Sequence, residues 1–328
     1  MRVVCRNGVD ETVVMLKKRL TKFSFISLAF ILLVTGCITT DSKLAKRAIM
    51  YTDYSQREKL TVLVFGDFGF GTEDQYKVGK TMKRVCDRVK CDFAVSTGDN
   101  IYEEGISGVN DPDLQDYFEK PYAHFGRFDF FMSLGNHDHR GDPDAEVAYS
   151  SYSERWRMPA RHYAIPKLPS WAWFFALDTT SVSPKQIAAA KTHLCSALGQ
   201  KKGWKIIFGH HPPYASTTST ENPKPTTIYV DQTYRELMPL IKKCRIDVML
   251  AGHYHLQEHI TSPYINILVQ GAAANTTRRY LMDLKAEAKS LFREKTLGFA
   301  IVTVTPSTFT TKYYDDDGKT IYSWSKDK

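Results

Sequence analysis

Nowhere does this 328-residue chain hold the roughly 20 consecutive apolar residues that a membrane-spanning helix needs. The best candidate, Phe23–Val34, has twelve residues and is too short to cross a bilayer. Long basic blocks are missing too. Of the formal charge of +8, half sits in residues 1–37, and the remaining +4 is spread over the rest of the chain. Nothing in that pattern demands a polyanion surface, so no nucleic-acid partner is expected. There is no C-x-x-C pair, which excludes the commonest cysteine-based metal sites. Internal repeats and low-complexity segments are also absent. The 43% apolar and 24% charged content is that of a globular protein, not of a disordered, collagenous or coiled-coil one.

What is present begins with export. Lys17, Lys18, Arg19 and Lys22 precede the apolar run, the order of a secretory signal peptide. The run ends in Leu33-Val34-Thr35-Gly36-Cys37, which resembles a bacterial lipobox with Cys37 as the acylated residue. Several acyl chains on one residue give stable membrane attachment. Residues 1–37 are therefore expected to be a signal peptide with lipobox, and a plain cleaved signal is the other reading. Met15 opens a more compact signal than Met1. Ile38 in place of Asp favours an outer-membrane destination over the periplasmic face of the inner one. The protein is expected in the cell envelope, lipid-anchored and monomeric. In that oxidising space Cys86, Cys91, Cys195 and Cys244 either form two disulfides or stay as buried thiols.

Residues 38–59 are polar without an apolar period and read as a tether. From Leu60 onward strands alternate with helices. Expected strands are 61–65, 92–97, 128–134, 171–177, 204–208 and 246–250, then 265–270, 299–304 and 308–314, with an Asp317-Gly318 hairpin turn. Expected helices are 73–90, 114–125, 183–199 and 233–244. Ser183 and Pro184 supply the cap and first turn of the third. The pattern predicts one α/β domain over 60–328 with a mixed sheet and a second sheet from the C-terminal strands. A Pro/Thr-rich loop spans 212–232.

Five turns carry the chemistry: Gly66-Asp67, Gly98-Asp99-Asn100-Ile101-Tyr102, Gly135-Asn136-His137-Asp138, Gly209-His210-His211 and Gly252-His253-Tyr254-His255. Each follows a buried strand, where α/β sheets place their ligands. Five of the ten histidines fall in three of these turns, and a sixth, His139, directly follows one of them. Asp, Asn and His suit hard or borderline metals, and their number exceeds one coordination sphere, so two metals sharing a carboxylate are expected. Such a pair serves phosphoryl-transfer chemistry.

Taken in order, the five motifs resemble the metallophosphoesterase superfamily, and more narrowly the purple acid phosphatases of the small, tartrate-resistant type. Two details point to that branch: Asp67-Phe68-Gly69 where the wider superfamily has Asp-x-His, and Tyr102 three residues after Asp99. The similarity also takes in Ser153-x-Arg-Trp156-x-Met-Pro159, Leu256-Gln257 and Gly298-Phe299-Ala300. The resemblance implies a calcineurin-like, four-layer α-β-β-α sandwich of two mixed sheets. It implies one metal on Asp67, Asp99, Tyr102 and His255 and another on Asp99, Asn136, His210 and His253, with Asp99 bridging. Tyr102 must lose a proton of reference pKa near 10 to bind, which calls for Fe(III). The second metal, with neutral Asn and His donors, would be divalent Fe, Zn or Mn.

The activity implied is acid phosphatase: hydrolysis of phosphate monoesters by attack of a metal-bound hydroxide on phosphorus. His137 would donate to the phosphoryl oxygen or the leaving group, with Asp138 or a backbone carbonyl orienting it. His211 and His139 would hydrogen-bond phosphate or support a ligand. The alternatives are a phosphodiesterase or nucleotide pyrophosphatase on the same site, and a non-catalytic envelope binding module.

Overall fold

A computed structural model describes residues 46–196, 203–216, 227–276 and 287–328. The signal, the lipobox and residues 217–226 of the Pro/Thr-rich loop lie outside the described residues; the last six residues assigned to that loop, 227–232, belong instead to the start of a helix. In chain order the first strands are β1 Leu60–Phe65, β2 Phe93–Ser96, β3 Phe130–Phe131, β4 Trp156–Arg157, β5 Tyr163–Ala164, β6 Ala172–Ala176 and β7 Trp204–Phe208. They continue as β8 Val248–Ala251, β9 Gln257–Thr261, β10 Asn266–Gln270, β11 Lys289–Glu294, β12 Gly298–Val304, β13 Thr308–Asp315 and β14 Thr320–Asp327. The helices are α1 Glu73–Val89, α2 Pro143–Tyr149, α3 Pro184–Cys195 and α4 Thr227–Cys244.

These strands make two seven-stranded mixed sheets, ordered β14-β13-β12-β1-β2-β3-β4 and β11-β9-β10-β8-β7-β6-β5. Strand β1 reads LTVLVF and every residue of it is buried. It lies between antiparallel β12 and parallel β2, so both its faces need apolar side chains. Rings from the two sheets meet between them, as with Phe93 against Phe174 at 5.8 Å. Helix α1 covers the outer face of the first sheet; α3 and α4 pack together outside the second. The result is the expected four-layer sandwich, with a second apolar core beneath α3 and α4 built on Leu194, Leu237, Ile241 and Met249.

Local chemistry sets the helix ends. Thr72 caps α1 by accepting from Gln75 N, Glu73 and Asp74 follow in its first turn, and Lys90 closes it in the left-handed region. Ser183 caps α3 through Gln186 N, with Pro184 next. Both disulfides form: Cys86–Cys91 ties the end of α1 to the approach to β2, and Cys195–Cys244 joins the ends of α3 and α4.

Three expectations change. The helix expected over 114–125 is a π-helical turn at Leu114–Glu119 followed by a 3-10 turn at Ala123–Phe125. Pro121 has no N–H to continue a helix, and the break lets Phe118 and Tyr122 both reach the core. The strand expected over 128–134 pairs only at Phe130–Phe131. The supposed tether is docked over much of its length. Arg47 N donates to Ser151 O, and the buried Tyr54 donates its hydroxyl to Asp129 Oδ2 at 3.1 Å. Polar composition hid this because the docking is made by a few side chains on Asp92 and Asp129. Helix α2 and strands β4, β5, β9, β11 and β14 were not foreseen; α2, β4 and β5 are short, β11 and β14 half-exposed, and β9 (QEHIT) is polar though buried, so none carries an apolar period.

Candidate metal centre

The parallel strands β1, β2 and β3 of one sheet and β7 and β8 of the other end at a common pole, and the five motif turns sit there. Asp67, Asp99 and His253 each adopt a positive φ, of 55°, 50° and 70°. A residue in this left-handed region turns its side chain sharply off the strand end, a conformation that costs free energy unless the surroundings hold it. The glycines are steric necessities: a Cβ at Gly135 would lie 2.2 Å from Asp99 Oδ1, and one at Gly252 would lie 2.4 Å from Asp67 Oδ2. Each turn is thus packed against the carboxylate of another.

Two sets of donor atoms result. In the first, Tyr102 OH lies 3.1 Å from Asp67 Oδ1, 2.8 Å from Asp99 Oδ2 and 3.0 Å from His255 Nε2, and His255 Nε2 is 3.3 Å from Asp67 Oδ1. In the second, Asn136 Oδ1 lies 3.2 Å from His210 Nε2 and 3.0 Å from His253 Nδ1, while His210 Nε2 is 3.1 Å from Asp99 Oδ2. Asp99 Oδ2 belongs to both. Atoms bound about 2.0–2.3 Å from one cation stand roughly 3 Å from each other, so these spacings are those of two coordination polyhedra sharing an atom. The other oxygen of each carboxylate is fixed by a backbone N–H: His137 N on Asp99 Oδ1 and His253 N on Asp67 Oδ2.

The donor chemistry fits cations. His210 Nδ1 donates to the Thr97 carbonyl at 3.0 Å, which turns the Nε2 lone pair toward two oxygens and another imidazole. Without a cation the cluster must hold protons instead. Burial, then Asp67 and Asp99, push the Tyr102 phenol well above its usual range. Burial would raise Asp99, but the His210 imidazole overrides it and holds the carboxyl low; burial opposes the His210 proton, and Asp99 retains it. A metal at each set replaces those protons.

All seven expected ligands come together. The expected supporting residues divide. His137 Nδ1 donates to the Glu103 carbonyl at 2.7 Å, its ring lies 4.2 Å from that of Tyr102, and Nε2 meets no protein group among the described residues. That nitrogen is available to a substrate. Asp138 requires a correction: it does not contact His137. It is buried and accepts from the backbone of Asn100, Ile101 and Gly135 at 2.8, 3.1 and 2.7 Å. Following His137 by one residue, it points inward and locks two motif turns together. His139 Nε2 donates to Asp178 at 2.9 Å. Thr179 Oγ1 accepts from His211 N at 2.8 Å and lies 3.2 Å from His211 Nδ1. His211 Nε2 lies 3.2 Å from Asn136 Oδ1. Burial, then His210, keep His211 from charging.

Sequence reasoning missed several contributors. Asn100 donates to the Ser133 carbonyl and to Glu146 Oε2, and accepts from Ser96. Its place inside the Gly-Asp-Asn turn was a usable signal. Glu146, buried on α2, had none, since a glutamate on a short helix reads as surface. Phe70 stacks on Tyr102 at 3.9 Å and 16°.

The family model of calcineurin-like phosphoesterases matches residues 60–257. Purple acid phosphatase 4 of Arabidopsis thaliana is 27% identical over 296 residues, covering 82% of this chain and 84% of the relative. Tartrate-resistant acid phosphatase type 5 of Sus scrofa is 26% identical over 298 residues, covering 80% and 85%. Among solved structures, GAP50, the anchor in the inner membrane complex of Plasmodium, superposes with a TM-score of 0.68 at 24% identity, over 83% of this chain and 89% of that one. That likeness shows the fold.

Proposed function

The chain belongs to the calcineurin-like phosphoesterase family, and on that premise we propose that it is a dimetal acid phosphatase hydrolysing phosphate monoesters. One observation carries the reading: two donor sets with the spacing of metal ligands, joined through Asp99 Oδ2. Asp67, Asp99, Tyr102 and His255 would hold Fe(III), because a phenol pushed upward by burial and two carboxylates gives up its proton only to a strong Lewis acid. Asn136, His210 and His253, with Asp99, would hold divalent Fe, Zn or Mn. When bound, such a pair supplies Lewis acidity toward phosphoryl oxygens and a nucleophile from acidified water.

The chain's own residues do the rest. His137 is held by Glu103 O with Nε2 outward, suited to protonating the leaving alkoxide. His211, kept uncharged by burial, stands beside the second donor set with Nε2 3.2 Å from Asn136 Oδ1 and Nδ1 3.2 Å from Thr179 Oγ1, which holds its ring in place. Asp138 and Asn100 fix the turns that aim these groups. We further read the protein as exported and lipid-anchored at Cys37; the two disulfides support an oxidising destination.

The test is turnover of p-nitrophenyl phosphate beside bis(p-nitrophenyl) phosphate by protein prepared with iron and zinc, with elemental analysis and a visible spectrum. Preference for the monoester at acid pH and two metals per chain are expected. Preference for the diester would replace the monoesterase reading. A fully loaded protein inert on both would leave the binding-module reading.

A further inference from the structure

The strands that end at the metal centre begin at the opposite pole, and three independent features gather there. The first is chain entry. Thr52 N and Tyr54 OH bind Asp129 just before β3, Tyr54 OH also reaches the Asp92 carbonyl before β2, and Arg47 pairs with Glu154 before β4. The described chain starts at Lys46, nine residues after Cys37, a span of at most about 30 Å when fully extended.

The second is a cavity of about 410 Å³ beneath the starts of β8 and β10. Lys242, Arg245 and Lys326 line it, and its one acidic lining residue, Asp247, is already paired with Lys328. Lys242 Nζ stands 3.9 Å over the Tyr264 ring. Cations commonly answer the carbonyls at a helix C-terminus, here that of α4. That need is met by the nearly buried Lys205, whose ammonium donates to the Cys244 carbonyl. Among the described residues no carboxylate pairs with Lys242, Arg245 or Lys326. The third feature is exposed apolar surface. Met50 is 77% exposed and Tyr264 42%, two of the three large apolar side chains that stand out from the described surface.

We propose that this pole rests on an anionic phospholipid bilayer. Headgroup phosphates occupy the Lys242–Arg245–Lys326 cavity, and Met50 and Tyr264 contact the interface. The metal centre then opens away from the membrane that carries the protein, so its substrates are soluble phosphate esters arriving from the aqueous side. The proposal rests on the lipid-anchor reading of Cys37.

The test is hydrogen exchange of the full-length chain in nanodiscs of phosphatidylcholine alone and of an equal mixture with phosphatidylglycerol. Residues 46–50 and 262–264 should exchange roughly tenfold more slowly in the anionic discs. The triple variant Lys242→Glu, Arg245→Glu, Lys326→Glu should lose that protection and still hydrolyse p-nitrophenyl phosphate at the parent rate. Equal protection in both discs would overturn the headgroup site. Protection at residues 99–105 and 136–141 instead would overturn the orientation. A chain without acyl mass on Cys37 that neither disc captures would overturn anchor and bilayer contact together, and would leave the phosphatase reading standing.

Discussion

The two donor sets around Asp99 are built from unlike material. One holds two carboxylates and a phenol with a single imidazole; the other holds a carboxamide and two imidazoles and takes its only negative charge from the shared Asp99. Both lie on the same sandwich, mostly buried, with Asn136 and His255 partly exposed, and their atoms are about equally close. On the proposed dimetal reading the contrast would make cation choice a matter of charge and donor hardness. The anionic set would call for a cation strong enough to ionise Tyr102 against burial, and the less charged set would accept divalent ions. Their asymmetry extends outward: His137 lies over the phenol side, while His211, beside Thr179, stands on the other.

The contrast can be broken most completely at the residue the sets share. Asp99→Asn should lower phosphatase turnover by roughly 10³-fold or more and deplete both metals. Elemental analysis that still finds two metals per chain would remove the bridge. His253→Ala addresses one side only. Turnover at limiting divalent metal should fall roughly 100-fold and recover partly in excess metal, with the visible band kept; loss of that band would mean the sets are not separable. Tyr102→Phe addresses the other side. The purple charge-transfer band should vanish, with a turnover loss of roughly tenfold. Any surviving band would reassign the Fe(III) site.

The smallest effect lies behind the centre. Burial, then the Asp138 charge, raise the Glu146 carboxyl well above its usual range. A raised carboxyl favours the native state fully below its unfolded value near 4.3, and that contribution is lost as pH rises toward the folded value. Glu146→Gln removes the titration, so the fall in Tm between pH 5 and pH 8 should flatten. An unchanged slope would show that Glu146 carries no proton in the native protein.

Much of this could be read from the chain. Buried β-branched strands such as 60–65 and 204–208, each followed by glycine and a polar ligand type, named the five turns because strand-then-turn is a local pattern; the choice of the seven donors among them, Tyr102 included, came from the resemblance to the purple acid phosphatases. Asp138 could not be assigned that way. Neighbours in sequence on a tight turn can face opposite directions, and only packing shows that Asp138 points into the fold and His137 out of it. The lead-in and Glu146 failed for a related reason, since burial of an isolated polar or aromatic residue depends on partners far away in the chain.

The residue order by itself determined which side chains could bind metal and which strands would carry them, because hydrophobic runs and glycines act over a few residues. It also showed no basic block. The resemblance implied that Asp99 is shared; only the tertiary structure decided that its Oδ2 is the atom common to both donor sets, and that Lys242, Arg245 and Lys326 share one cavity at the far pole. Those facts depend on where separate segments meet, and that is set by the packing of the two sheets and the helices covering them.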